Sequence, residues 1–148
     1  MVNASDVQKL RELTSAGVMD CKKALEEAKG DFDRALSLIK EKGLLIAEKK
    51  ASRAANTGIV VAYVHNDRIG VLLEIHCETD FVGRSDPFKE LAHNIVMQIA
   101  AMDPADVPAL LEQPFIRNEK TTINDLIKET IAKVGENITI ERFMRYEL

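Results

Sequence analysis

The stretch Gly70-Val71-Leu72-Leu73-Glu74-Ile75-His76-Cys77-Glu78-Thr79-Asp80-Phe81-Val82-Gly83-Arg84 changes character half-way, and that change constrains the chain more than any other feature. Val71, Leu73, Ile75 and Cys77 recur at period two, the spacing of one face of a sheet. Thr79-Asp80-Phe81-Val82 leaves the strand, and Gly83 supplies a flexible joint. The spacing predicts a helix from Asp86-Pro87, with a capping carboxylate followed by proline at the first helical position. A carboxylate and a large aromatic therefore stand side by side at a strand-to-helix corner. On composition alone Phe81 is a core plug and Asp80 a turn residue, because most aromatics at element ends pack.

Residues 5–43 read as three short helices. Ser5 caps the first, with Gln8 completing a capping box and Val7, Leu10 and Leu13 on one face. The second runs from about Met19 to Lys29, with Val18, Cys21, Leu25 and Ala28 at helical spacing and Gly30 as its stop. Asp31 caps the third, where Phe32, Ala35, Leu36 and Ile39 form the stripe and Gly43 ends it. Helices this short are not stable alone and must pack together. Residues 44–57 are a basic, alanine-rich connector, partly helical and closed by Gly58; Glu48-Lys49-Lys50-Ala51-Ser52-Arg53 reads as a solvated linker. The domain boundary is placed there.

The remainder, 58–148, alternates from Ile59 to His65, turns at Asn66-Asp67-Arg68 and returns as a strand from Ile69 to Cys77. A long amphipathic helix follows from about Pro87 to Ala101, with Phe88, Leu91, Ala92, Ile95, Ile99 and Met102 on its stripe. Asp103 to Pro108 is a loop with two prolines. Thr122, with Asp125 three residues on, caps a further helix lined by Ile123, Leu126, Ile127, Ile131 and Val134, and Gly135 stops it. Ile138 to Tyr146 is a last strand with no neighbour in sequence, so it must pair with the hairpin. The fold class is α+β: a three-helix domain, then a small antiparallel three-stranded sheet with helices against one face.

Several function classes recede. A net charge of −4 argues against nucleic acid as the main partner, since phosphate binding needs clustered Lys and Arg. No apolar run is long enough to span a membrane, and the N-terminus has neither basic lead nor apolar core, so no secretory signal is expected. Cys21 and Cys77 form no spaced framework and read as buried thiols of a reducing cytosol. No glycine-rich phosphate loop occurs. Glu74, His76, Glu78 and Asp80 share one strand face and offer the best enzyme reading, a metal-dependent hydrolase. Side chains in one row of one strand splay apart, however, and the chain is expected to be metal-free with no cofactor. His76 and Cys77 are strand neighbours on opposite faces and cannot share a proton directly.

Glu74 to Val82 resembles the second conserved block of elongation factor Ts, the guanine-nucleotide exchange factor for the translational GTPase elongation factor Tu. His76 stands where Asn or Val is common and Gly83 where Ala or Ser is common; neither touches Thr79-Asp80-Phe81-Val82. Leu10 to Leu25 is similar to the family's first block, Leu110-Leu111-Glu112-Gln113-Pro114-Phe115 to its Leu-Glu-Gln-Pro-Phe element, and Val134-Gly135-Glu136-Asn137-Ile138 to a third block near the C-terminus. The resemblance implies a ubiquitin-associated-like fold for residues 1–43, a basic connector over 44–57 and a core of the dimerisation type over 58–148. It implies that Thr79, Asp80, Phe81 and Val82 dislodge Mg²⁺ from the partner, with Arg11, Val18 and Met19 as contacts of the N-terminal domain. The partners implied are GDP-bound and nucleotide-free elongation factor Tu, met in the cytoplasm. The family's usual long helical segment after the helix ending near Ala101 is reduced here to Met102–Ala109. Only one core subdomain is present, so a monomer and a homodimer supplying the second both stay open. A ubiquitin-associated-type adaptor is the alternative for the N-terminal unit, though it leaves 58–148 without a purpose.

Overall fold

The computed structural model describes residues 1–148. Its elements are α1 (Ala4–Thr14), α2 (Val18–Glu27), α3 (Phe32–Lys50), β1 (Thr57–His65), β2 (Ile69–Cys77), α4 (Asp80–Gly83), α5 (Asp86–Met102), α6 (Val107–Glu112), β3 (Pro114–Phe115), β4 (Asn118–Thr122), α7 (Ile123–Val134) and β5 (Thr139–Glu147). No helix is long and apolar enough to cross a membrane.

The three N-terminal helices enclose Leu10, Cys21, Leu25 and Ala35, all buried. Asn3, rather than Ser5, caps α1: its Oδ1 accepts the Ser5 N–H at 3.0 Å. Gln8 therefore lies beyond the third helical position and donates to Glu12 at 3.1 Å. Leu13 is exposed rather than on the packed face. The cap on α3 is the expected one, Asp31 accepting from the Arg34 N–H at 3.0 Å.

Gly43 does not end α3, which runs on to Lys50. Glycine inside a helix costs about 1 kcal/mol relative to alanine, but here the missing side chain lets α7 come close. A Cβ on Gly43 would stand 3.3 Å from the Cβ of Ala132. One turn later Ala47 is buried in the second core, so the helix that starts in one core finishes in the other. The connector is thus helical in its first half, to Lys50, as the expected partial helix, and two of its basic residues are engaged. Lys50 Nζ donates to the Gly135 carbonyl at 2.9 Å, and Arg53 pairs with Glu78 at 3.2 Å. Gly58 lies inside β1, where a Cβ would fall 2.1 Å from the Ile75 carbonyl oxygen, so only glycine fits.

The hairpin β1–β2 pairs antiparallel with Thr57 opposite Cys77, and Asn66 and Asp67 both take left-handed φ (51° and 56°) at its turn. β5 joins β2 on the other side, giving the order β1-β2-β5 with a bulge at Glu74/Ile75. Val71, Leu73, Ile75 and Cys77 are buried beneath α5, as their period requires. Phe88, Leu91, Ala92, Ile95 and Ile99 are buried on α5, together with Val96 and Ala100, whereas Met102 at its end is exposed. Ser85, not Asp86, is the α5 N-cap residue. Its hydroxyl donates to the Val82 carbonyl at 2.6 Å, and Asp86 sits in the first turn, where a carboxylate complements the helix dipole.

Asp103 to Pro108 is not loop throughout, because Asp106 caps α6 by accepting from the Ala109 N–H at 2.8 Å. A second, two-stranded sheet, β3–β4, also lies outside the expected plan. Fully buried Gln98 organises it: the amide NH₂ donates to the Pro114 carbonyl at 3.1 Å and the amide oxygen accepts from the Ile116 N–H at 2.9 Å. The Thr122/Asp125 capping box on α7 and its Gly135 stop (φ 76°) are both present.

Candidate functional site at the strand-to-helix corner

β2 ends at Cys77, and two residues later the chain turns into α4. Thr79 caps that single turn, its Oγ1 accepting the Val82 N–H at 3.3 Å. The turn sends adjacent side chains in opposite directions: Val82 is 5% exposed and enters the core, while Phe81 is 85% exposed. Asp80 and Thr79 are exposed beside it. Phe81 is therefore not a core plug. Leaving a phenylalanine out forgoes about 1.5–3 kcal/mol of burial, so the exposed ring is a feature that stability alone does not explain. Gly83 is a buried helical residue with ordinary φ, not a joint; a Cβ there would meet Cys77 Sγ at 3.5 Å. Burial, and next the Glu136 charge, push the Cys77 thiol pKa up, and its Sγ donates to the Thr79 carbonyl at 3.2 Å.

The corner is held from behind by residues that reasoning from the sequence did not single out. Glu136 Oε1 accepts from the Glu78 and Thr79 N–H groups at 3.1 and 3.0 Å, and Oε2 accepts from the Thr79 hydroxyl at 2.7 Å. In return Glu78 Oε1 accepts from the Asn137 N–H at 2.8 Å. Buried Asn137 extends its amide to the Arg53 carbonyl at 2.8 Å. The third sequence block, Val134 to Ile138, was the signal that pointed here, but which groups it served required the tertiary arrangement.

Arg11, Val18 and Met19 are all exposed, Val18 to 48% and Met19 to 61%. Neither apolar side chain belongs to the core beneath it. Asp20, next along α2, pairs with Lys42, whose hydrogen bond and charge hold its carboxyl below the usual range.

The carboxylate–histidine row does not converge on a metal. His76 Nε2 lies 2.7 Å from Glu74 Oε2, the other Glu74 oxygen accepts from Arg142 at 3.1 Å, and His76 Nδ1 faces the Ala55 carbonyl at 3.1 Å. Burial alone would raise the Glu74 pKa, but Arg142 and His76 bring it below the ordinary value. Glu78 turns away to Asn137 and Arg53. The row lacks the convergence a hydrolase site needs: Glu74 and Glu78 are committed to different partners, and no three His, Cys, Asp or Glu side chains are placed to hold a metal ion.

A family model described as Elongation factor TS matches residues 78–148, beginning at the first residue of the corner. Over 186 aligned positions the chain is 46% identical to elongation factor Ts of Thermotoga maritima, covering 96% of this chain and 94% of that protein. The chain belongs to the elongation factor Ts family. Elongation factor Ts of Carboxydothermus hydrogenoformans is 44% identical over 194 positions, covering 100% of this chain and 89% of that protein. Elongation factor Ts of Coprothermobacter proteolyticus is 44% identical over 193 positions, covering 99% and 98%. Membership gives the chain a role in translation elongation, within protein biosynthesis. Alignments of that length against 148 residues mean that family relatives carry a segment with no counterpart here. The short span from Met102 to Ala109 fits such a deletion, and Arg145 closes it. Its guanidinium donates to the Ala100 carbonyl at the end of α5 at 3.0 Å and pairs with Asp103 and Glu147 at 3.5 and 2.9 Å.

Proposed function

We propose that this elongation factor Ts family member is the nucleotide exchange factor of elongation factor Tu, using the exposed corner as its working edge. A GTPase retains GDP through its phosphate contacts and a Mg²⁺ ion that neutralises phosphate charge. A protein that binds the nucleotide-free GTPase better than the GDP-bound one must, by linkage, weaken GDP binding by the same factor. Thr79, Asp80, Phe81 and Val82 supply the differential contact: Phe81 is the wedge, Asp80 its polar guide, Thr79 and Val82 the anchors beneath. The partner's Mg²⁺ loses its shell, GDP follows and GTP rebinds. No covalent bond changes, so the chain is not an enzyme in the strict sense. Residues 1–43 serve as the docking unit through Arg11, Val18 and Met19, with 44–57 as the connector and 58–148 as the core that carries the wedge. The encounter takes place in the cytoplasm and calls for no cofactor, nucleic acid or membrane.

The single observation that carries this reading is Phe81, 85% exposed on a capped turn inside the block that the family model matches. The test is titration of elongation factor Tu in its nucleotide-free and GDP-bound forms. The reading requires tighter binding to the nucleotide-free form and a matching loss of GDP affinity. Equal affinity for the two forms would overturn it.

A second copy of the chain is a further proposed partner. The sheet's outer face carries Val60, Val64, Leu72, Met144 and Tyr146, all exposed, with Leu72 opposite both Ala62 and Met144. Apolar residues gathered on one open sheet face mark an association surface. Light scattering should give a dimer mass that falls to the monomer in Leu72→Asp; a wild-type monomer at micromolar concentration would count against it.

A further inference from the structure

We infer that Glu136 is a positioning residue for the exchange corner, and that with Glu78, Asn137 and Arg53 it forms a clasp that transmits the placement of α3 to Phe81. The inference rests on the proposed reading of that corner.

The clasp is reciprocal. The Glu136 carboxylate takes two backbone N–H groups, from Glu78 and Thr79, and the Thr79 hydroxyl; the Glu78 carboxylate takes the Asn137 N–H. Each acid thus holds the backbone that carries the other. Hydrogen bonds to an ionised carboxylate are roughly twice as strong as neutral ones, and three converge on Glu136 from Glu78 and Thr79, the two residues that lead into α4. Thr79 is at once the residue being held and the cap of that turn, because its hydroxyl donates to Glu136 while accepting from the Val82 N–H. The direction of the Phe81 side chain is therefore set at Thr79, and the position of Thr79 is set at Glu136.

The same knot reaches α3. The Asn137 amide donates to the Arg53 carbonyl, the Arg53 guanidinium meets Glu78, and Lys50 donates to the Gly135 carbonyl. α3 is the helix whose first half packs in the N-terminal core and whose end packs in the second core. A docking unit at one end of α3 and a wedge beyond its other end are thus joined by hydrogen bonds, not by a slack linker. This gives the basic connector a purpose its composition does not reveal.

The test compares Glu136→Ala, Glu136→Asp and Glu136→Gln in the full chain, with Phe81→Ala in parallel. Readouts are the saturating rate of GDP release from elongation factor Tu, the concentration at half-saturation, the melting temperature and amide hydrogen exchange at Thr79. Misplacing a reactive or contacting group by about 1 Å can cost up to roughly a hundredfold, so the saturating rate should fall on the order of tenfold or more in Glu136→Ala. Half-saturation should change far less, since the docking unit is untouched. Glu136→Asp keeps the charge but withdraws the acceptors by one methylene, and it should lose most of the rate. Glu136→Gln gives up the charge and the acceptor for the Thr79 hydroxyl but keeps an oxygen at full reach for the two N–H groups, and it should keep more of the rate than Glu136→Asp. Faster Thr79 amide exchange in Glu136→Ala with an unchanged saturating rate would overturn the inference. So would a rate loss that merely tracks melting temperature across the three variants. If Glu136→Ala fails to fold, the order of Glu136→Asp and Glu136→Gln decides, and equal rates in those two overturn the inference. A normal rate in Phe81→Ala overturns the reading of the corner instead; a slow Phe81→Ala beside a normal Glu136→Asp overturns the clasp alone.

Discussion

Truncating Phe81 and Phe88 to alanine in separate proteins should give opposite results, although the two are seven residues apart in one corner. Phe81 is 85% exposed and Phe88 is 0% exposed. Full burial of such a side chain is worth about 1.5–3 kcal/mol, so the small part of Phe81 that is covered contributes roughly 0.5 kcal/mol or less. Emptying the Phe88 site removes the transfer energy and leaves a cavity under α5, for about 3–5 kcal/mol. In a domain of this size 1 kcal/mol shifts the melting temperature by roughly 2–4 °C. Phe81→Ala should therefore melt within about 2 °C of the wild type, and Phe88→Ala about 10 °C lower. GDP release should run the other way. A central aromatic anchor is worth about 2 kcal/mol or more, which is at least a tenfold rate loss in Phe81→Ala with a sound fold. Circular dichroism melts paired with release of a fluorescent GDP analogue check both halves. A Phe81→Ala protein that melts as low as Phe88→Ala would refute the exposed-wedge argument. Normal melting with normal release would remove the ring from the mechanism. Asp80→Ala should act in the same direction, and the double variant should be less than additive because both residues serve one insertion.

Val18→Ala with Met19→Ala should raise the half-saturating concentration in that assay while sparing the saturating rate and the melt; a fall in the saturating rate alone would take these residues out of docking. Gly58→Ala should destabilise strongly, because its Cβ would overlap the Ile75 carbonyl; a melt within about 0.5 kcal/mol of wild type would show that β1 can shift. Burial pushes both cysteine thiols up in pKa. A raised folded value means that this contribution to stability is whole below the unfolded thiol value, about 8.5, and is lost as pH rises through the folded one. Denaturant midpoints should thus decline at alkaline pH, with neither thiol reacting quickly with a disulfide reagent at pH 7. A fast-reacting thiol in the native protein would contradict this.

Local periodicity carried much of the fold. The alternation of Val71, Leu73, Ile75 and Cys77 and the stripe from Phe88 to Ile99 report which face is buried, and both faces are buried where expected. The Thr122/Asp125 box and Gly135 are equally local signals. Gly43 and Gly58 misled because a glycine signals either a stop or a close approach, and only the neighbouring element decides which. Ala132 decides it for Gly43 and the Ile75 carbonyl for Gly58. The β3–β4 hairpin was hidden because its register depends on Gln98, a polar residue that reads as surface until its partners at Pro114 and Ile116 are in place. At the corner the residue types were legible; composition favours burial of Phe81, and only the family resemblance pointed to an outward ring. The supporting clasp was legible only as the block from Val134 to Ile138: Glu78 and Glu136 are far apart in sequence, and each is defined by the backbone it holds.

In the proposed exchange role the chain speeds GDP loss by disturbing the partner's Mg²⁺ site. The most direct measurement is stopped-flow release of a fluorescent GDP analogue from elongation factor Tu, with and without this protein, in Mg²⁺ and again with the ion chelated. The expected result is a large acceleration in Mg²⁺ that shrinks when the ion has already been removed. No acceleration in Mg²⁺, or an equal acceleration in both conditions, would contradict it.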